Sequence, residues 1–381
     1  MKTLILFDYP PTPTGLSMQG DMLYRGMKDN GEEVMSCNLT GSLQKQWLYG
    51  SFKPDIVVGV GHWGDVPDVV IHPQKFGVIP VPWFVADGWV ANYHDILSSL
   101  PLAFITSEWV KTTYARDGVD VKNFVVAHIG IEPDIYKPIS KSDPRVKLVR
   151  NALGIADDEA MILTIGGDVT SKGAQEMFKA LKIVNKDFRN WKYVCKTWGG
   201  GSSIDHRADE LRLIEELGDA KDRVIYQQGS FSRDFLPYLI NACDIYAAPS
   251  RLDGYGMIQV EAQACGIPVI SINKMGPQET IVNGKTGFLA RVAETVDLSE
   301  EWVYEDMGFE KKHKKKFDRP KTFAYRADVG ELANYLISLL ASPKLREEMG
   351  RAGREHVLLN FEYHKLAKEM TKKVKQHLNI S

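Results

Sequence analysis
Two carboxylates stand eight positions apart in the stretch PSRLDGYGMIQVEAQACG, residues 249–266. Asp253 precedes a Gly-Tyr-Gly step, and Glu261 falls inside a run that otherwise reads as a buried helix. A carboxylate on an apolar helix face is costly unless it is hydrogen-bonded. A vicinal diol such as a ribose, with two donors at the spacing of two carboxylate oxygens, would satisfy it. So would neighbouring backbone or an arginine, and spacing alone leaves these readings level. IYAAPS reads as a strand, RLDGYG as a Gly-rich turn, and MIQVEAQACG as a helix closed by Gly266. On that helix Glu261 shares a face with Met257, Ala264 and Cys265. Ligands of open α/β sheets bind beyond the carboxyl ends of strands, where this turn lies. The helix start offers N–H groups to an anion, and the glycines let backbone approach a ligand closely.

Further stretches carry weaker signals. IGGDVTSKGAQ (165–175) puts Lys172 in the first turn of a helix after a strand, where a cation opposes the helix dipole. A phosphate between them removes the conflict, although a solvated lysine is the plainer reading. YPPTPTGLSMQGDML (9–23) follows the first strand, with Gly15 and Gly20 in a loop that admits a ligand. GVGHWG (59–64) has the outline of a dinucleotide fingerprint. The residues after it hold Pro67 and Pro73, and His62 and Trp63 are bulky where a pyrophosphate would approach, so the nicotinamide reading is disfavoured. Around it lie Trp63, Trp83, Phe84, Trp89 and Tyr93, interspersed with His62, Asp87 and His94. Such a set suits a sugar or another polar ring, and equally suits a core. KKHKKK (311–316) could contact phosphates, though most such runs are solvated loops.

These residues need a scaffold. The chain has 381 residues, room for two to three domains, with 44% apolar and 25% charged residues and a net charge of -2. That balance argues against a dedicated nucleic-acid coat. Cys37, Cys195, Cys243 and Cys265 lack metal-ligand spacing and read as buried thiols in a reducing compartment. With neither a secretory leader nor an apolar run long enough to span a bilayer, the chain reads as soluble and cytoplasmic. Nearly continuous apolar runs at 3–7, 55–60, 77–85, 102–106 and 123–129 suit parallel strands covered on both faces. The rhythm restarts at 161–167, 191–198, 223–229, 245–250 and 268–272, with amphipathic stretches between. Two βαβ series predict two doubly wound α/β domains joined near 131–144. Ser107 and Asp328 are expected helix caps, the latter with Glu331 in a capping-box arrangement. Between Ala290 and Asp328 the pattern is lost.

The run DIYAAPSRLDGYGMIQVEAQACGIPVISINKMGPQETIVNGKTGFLA (244–290) resembles the donor-site signature of glycosyltransferase family 4, with its acid-x7-acid spacing. SKGAQEMF resembles that family's Lys-Gly motif, HIGIEPDIYKP (128–138) its hinge, and SPKLREEMGRAGREHVLLNFEYHKLAKEM (342–370) its terminal helices. The resemblance implies a GT-B fold: two Rossmann-like doubly wound domains facing each other across a cleft. It implies an acceptor-side domain at 1–135, on which a helix at about 361–381 packs back. The donor-binding domain would be 136–360, with an inserted basic segment at about 291–327. The implied activity is a retaining transfer, of a hexose in the main, from a UDP- or GDP-sugar co-substrate to an acceptor hydroxyl, with neither metal nor cofactor required.

Carried over by position, Asp253 holds the donor sugar, Lys172 the diphosphate and Glu261 the ribose. The backbone of Gly254, Tyr255, Gly256, Met257 and Ile258 faces the sugar and phosphates. Gly15 and its loop cover the diphosphate, and the turn from Gly229 to Phe231 lies against the base. The family's first acid is usually Glu, and it commonly has an Arg shortly before the Lys. Here Asp168 stands in that neighbourhood, so Arg251 or Lys196 is expected as second cation. Asp253, Lys172 and Asp87 are the expected catalytic residues. Trp63, Asp87, Trp89 and His94 are expected to hold an acceptor: a glycan, lipid-linked sugar, small metabolite, protein or modified nucleobase. A polyanion or DNA met through Lys311–Lys316 and a peripheral membrane contact are further partner readings, and the oligomeric state stays open. A nucleotide-sugar epimerase, a phosphorylase and a non-catalytic nucleotide-binding relative are the alternatives on the same fold.

Overall fold
The structure, a computed structural model, describes residues 1–86, 88–198 and 206–380. Contacts divide the chain into two compact units, Met1–Glu132 with Asp297–Phe323 and Phe361–Ser381, and Pro133–Val296 with Ala324–Asn360.

Among the described residues, the first unit is built on a parallel sheet of seven strands: β1 (Lys2–Phe7), β2 (Glu33–Asn38), β3 (Ile56–Gly61), β4 (Ile79–Pro80), β5 (Trp83–Phe84), β6 (Ala103–Ile105) and β7 (Phe124–Val126). Their order is β2-β1-β3-β5-β6-β7, with β4 also on β3. Leu4, Ile5, Leu6 and Phe7 of β1 are all 0% exposed, which is why the strand reads as a continuous apolar run. Burying each such side chain contributes roughly 1.5–3 kcal/mol. The run at 77–85, expected as one strand, is instead two short ones, because Pro80 and Pro82 lack the N–H that a ladder needs. Ser107 caps the helix Glu108–Arg116, its hydroxyl accepting from the Val110 amide. The helix Tyr363–Leu378 lies along the helix Gly15–Asp29 at a close crossing; a Cβ on Gly26 would sit 2.9 Å from that of Ala367.

The second unit carries six parallel strands among its described residues: β8 (Ala160–Ile165), β9 (Trp191–Thr197), β10 (Val224–Gln228), β11 (Ile245–Ala247), β12 (Val269–Ile272) and β13 (Gly287–Ala290). Their order, β10-β9-β8-β11-β12-β13, is that of a dinucleotide-binding doubly wound sheet. Asp328 caps the helix Val329–Ala341 by accepting from the Glu331 amide at 2.9 Å. The Glu331 carboxylate does not complete the capping box; it accepts from the Arg291 amide at 2.7 Å.

The stretch with no sequence pattern is a long two-stranded ribbon, β14 (Val292–Val303) and β15 (His313–Ala327). Phe317 packs against Trp89, and Met307 and Phe309 also pack on the core of the first unit. All four cysteines are buried thiols. Among the described residues no helix is long and apolar enough to cross a membrane.

Candidate functional site
In the second unit the strand order reverses between β8 and β11, and the carboxyl ends of strands at such a reversal are where open α/β sheets hold their ligands. Lys172 lies on the loop after β8 and Asp253 on the loop after β11. The helix after β8 is Ala174–Val184, capped by Gly173, so Lys172 sits in the turn before it rather than in its first turn. The expected quarrel with the helix dipole is weaker for that reason. Gly173 takes φ +85°, and a Cβ there would run into the Pro249 carbonyl. The Arg251 amide donates to the Ser171 carbonyl at 2.9 Å. These contacts hold the two loops together and bring Lys172 Nζ to 2.8 Å from Asp253 Oδ2.

Asp253 is well supplied with donors. Ser250 Oγ donates to Oδ2 at 3.2 Å and the Tyr255 amide to Oδ1 at 3.2 Å. Its own amide points at Met275 Sδ. Burial alone would raise this carboxyl, but the Lys172 ammonium, the Tyr255 amide and the Ser250 hydroxyl outweigh it and hold it below the usual carboxylate range. Asp253 is a fixed anion beside a cation.

After Asp253 the backbone turns through half-buried Gly254, buried Tyr255 and Gly256 into the helix Met257–Ala264. Met257 and Ile258 open that helix half-buried, and the first amides of a helix have no intrahelical acceptor. One turn on, Glu261 is 9% exposed. Burial raises its carboxyl to about 7, against the opposing pull of a hydrogen bond from the Tyr136 hydroxyl and of the Arg233 charge. Tyr136 belongs to the IEPDIYKP stretch, which Arg354 steadies by donating to the carbonyls of Tyr136, Pro133 and Ala264. Glu261 thus has a protein donor already. Sequence reading missed Tyr136 as well as Ser250 and Met275; the only signal for Tyr136 was its place in the hinge-like motif.

Arg251, expected as a second cation, has its guanidinium engaged within the unit, with Nη2 2.8 Å from Glu176 Oε1 and 3.0 Å from Gln175 Oε1. Nε donates to the other Glu176 oxygen at 3.2 Å. Lys196, at the end of β9, lies with its ammonium 4.4 Å from the Trp198 ring centroid and 5.2 Å from that of Phe231. Burial lowers its pKa. Gly229 follows β10 and donates to the Thr197 carbonyl at 2.8 Å, which sets the turn to Phe231 beside Lys196.

In the first unit, Gly15 starts the helix Gly15–Asp29 after a loop tied by Thr12 Oγ1 to Asp8 Oδ2 at 2.8 Å and Ser17 Oγ to the Asp8 carbonyl at 2.6 Å. Trp63 is buried with its ring centroid 5.2 Å from that of Trp89. His94 begins another helix, His94–Ser98, against Gly118. Asp87 lies outside the described residues. The fingerprint-like glycines are closed by the protein itself. Cβ atoms on Gly59, Gly61 and Gly64 would meet Val69, Asp65 and the His62 ring. Among the described residues no cluster of His, Cys, Asp and Glu could hold a metal ion.

Residues 146–314 match the family described as Glycosyl transferases group 1. D-inositol 3-phosphate glycosyltransferase of Xylanimonas cellulosilytica is 27% identical over 195 residues, 51% of this chain and 45% of that protein. The protein of that name from Mycobacterium tuberculosis is 27% identical over 184 residues, 48% of this chain and 36% of its own length. The matched stretch thus spans less than half of either relative. Among solved structures, Anabaena HepE in complex with UDP and glucose superposes with a TM-score of 0.74 at 14% identity, covering 99% of this chain and 100% of that one. Sucrose-phosphate synthase from Thermosynechococcus elongatus gives 0.74 at 17% identity over 100% of both chains. The chain therefore has the GT-B fold, two parallel-sheet Rossmann-like units, and over 146–314 it is similar to the group 1 glycosyl transferases.

Proposed function
We propose that the protein is a retaining glycosyltransferase of family 4, moving a hexose from a UDP- or GDP-sugar to an acceptor hydroxyl. One observation carries this reading: the Lys172–Asp253 pair at 2.8 Å, set where the strand order reverses and followed at once by the Gly254–Ile258 turn and Glu261. The bond from the anomeric carbon to the diphosphate oxygen breaks, a bond to the acceptor oxygen forms, and the acceptor proton leaves with the diphosphate. Lys172 and the amides of Met257 and Ile258 stabilise charge developing on the departing phosphates. Asp253 holds sugar hydroxyls, and Glu261 receives the ribose diol beside Tyr136. The likeness to D-inositol 3-phosphate glycosyltransferases and the UDP and glucose held by HepE support this assignment.

Residues 136–360 are proposed as the donor-binding domain and 1–135 as the acceptor domain, where half-buried Trp89 offers ring surface to an acceptor; Trp63, expected beside it, is 4% exposed and belongs to the core. We place the protein in the cytoplasm, where its four buried thiols stay reduced. The Lys311–Lys316 run gives limited support to a polyanionic acceptor. Lys314 pairs with Glu300 at 2.7 Å, and Lys312 lies about equally close to the Trp302 and Tyr304 rings. Salt-sensitive DNA binding that vanishes when the run is neutralised would support that acceptor class.

The deciding experiment is a panel of UDP- and GDP-sugars, with and without inorganic phosphate, read by released nucleotide and by product NMR. Nucleotide release with an unchanged anomeric configuration in the product supports the proposal. Release that requires inorganic phosphate identifies a phosphorylase, an altered sugar on an intact donor an epimerase, and the absence of any nucleotide affinity a protein of another kind.

A further inference from the structure
Lys172, Arg251 and Lys196 stand beside the reversal point of the second sheet, and they are matched differently. Lys172 has Asp253 at 2.8 Å. Arg251 has Glu176 at 2.8 Å and is anchored by Gln175 as well. Lys196 is only 4% exposed, yet among the described residues its ammonium has no hydrogen-bond or ion-pair acceptor. Its neighbours are ring faces, Trp198 at 4.4 Å and Phe231 at 5.2 Å. A ring face attracts a cation only weakly and gives its N–H donors no acceptor. Lys196 Nζ is not among the buried polar atoms sealed off without a partner, so the ammonium stays open to an anion from outside.

The backbone sets this ammonium beside the loop of Lys172. The Gly166 amide donates to the Lys196 carbonyl at 3.0 Å. A Cβ on Gly166 would come within 2.6 Å of Lys172 Cγ, and one on Gly167 within 2.7 Å of the Trp198 ring. Thr197 Oγ1 closes the arrangement by donating to the Gly167 carbonyl at 2.5 Å. One Gly-Gly turn therefore carries the lysine of β8's loop on one side and the aromatic seat of Lys196 on the other. Two alanines there would push both outward.

We infer that Lys196 is a phosphate-binding residue, whose ammonium, seated on Trp198 and Phe231, meets the diphosphate of a nucleoside diphosphate ligand together with Lys172. This rests on the nucleotide-sugar reading above and adds the second cation that Arg251, held by Glu176, does not supply. A diphosphate carries more than one negative charge, and the charge of Lys172 is already matched by Asp253 at 2.8 Å. Trp198 and Phe231 act as positioning residues, fixing the ammonium rather than touching the phosphates.

The test compares wild type, Lys196→Met and Lys196→Arg by calorimetric titration with UDP, inorganic pyrophosphate and uridine, with melting of the unliganded proteins as the control for folding. Lys196→Met keeps the stem between the rings, so its melting temperature should equal or exceed that of wild type. Its affinity for UDP and for pyrophosphate should fall about 10- to 100-fold while uridine binding is unchanged, and Lys196→Arg should regain much of the loss. Unaltered UDP affinity in folded Lys196→Met overturns the inference. So does a parallel loss of uridine, which would put the lysine on the nucleoside. If wild type binds neither UDP nor GDP, the nucleotide-sugar reading falls, and pyrophosphate alone decides. Pyrophosphate binding that Lys196→Met abolishes keeps the anion site, and equal or absent binding in both proteins removes it.

Discussion

Replacing Glu261 with glutamine should remove one specific slope from the dependence of stability on pH. In the folded protein burial holds this carboxyl at about 7, against an ordinary value of 4.5. A group with a raised folded pKa keeps more protons in the native state, so its stabilising contribution is complete below pH 4.5 and is lost as pH rises through 7. A shift of that size corresponds to about 3 kcal/mol. Urea unfolding of wild type and Glu261→Gln at half-unit steps from pH 4.5 to 8.5 measures it, since every other titrating group is shared and cancels in the difference. The stability of wild type relative to Glu261→Gln should fall by about 3 kcal/mol across that window. Parallel profiles would refute the reasoning, because they would mean that Tyr136 and Arg233 already offset the loss of hydration. The same carboxyl reports on the ligand. A ribose diol donating to it favours the ionised form, so UDP binding at pH 6 should release close to one proton, visible as a buffer-dependent heat.

Other expectations follow from neighbouring contacts. Asp253→Ala should abolish sugar transfer while UDP or GDP binding stays measurable; transfer that survives would remove Asp253 from the reacting end of the site. Glu176→Gln leaves the Arg251 guanidinium buried without its carboxylate, and urea titration should show a loss of about 3–5 kcal/mol. Gly173→Ala must adopt φ +85° against the Pro249 carbonyl, so it should cost more than about 1 kcal/mol and lower turnover by displacing Lys172.

The parts of the fold that were legible were those whose burial is uniform. β1, β3, β8 and β12 read as strands because both of their faces are covered, leaving a run of apolar residues with no alternation. The ribbon escaped notice because a two-stranded sheet buries little. Val303, Ala324, Tyr325 and Ala327 are buried where the ribbon meets the rest of the protein, while His313, Lys314 and Lys316 are exposed on it. At the site, local spacing marked Asp253 and Glu261 as two acids flanking a Gly-rich turn without deciding what they hold, and the Lys172 motif lay close to a strand end. The matching of charges did not show, because it depends on long-range partners. Nothing near Arg251 in sequence announces Glu176, seventy-five positions away, or Tyr136 as the donor to Glu261. Asp168, which stands in the neighbourhood where the resemblance calls for an arginine, accepts from the Thr170 amide of its own turn at 3.0 Å.

The seam between the loops after β8 and β11 has a consequence for how this protein can change. Ser171 with Arg251, Gly173 with Pro249 and Arg251 with Glu176 make the two loops one mechanical piece. A mutant library confined to positions 250–256 would sample half of a joint and return chiefly misfolded clones. Varying 171–176 at the same time lets compensating pairs survive, so new donor preferences should arise as double changes.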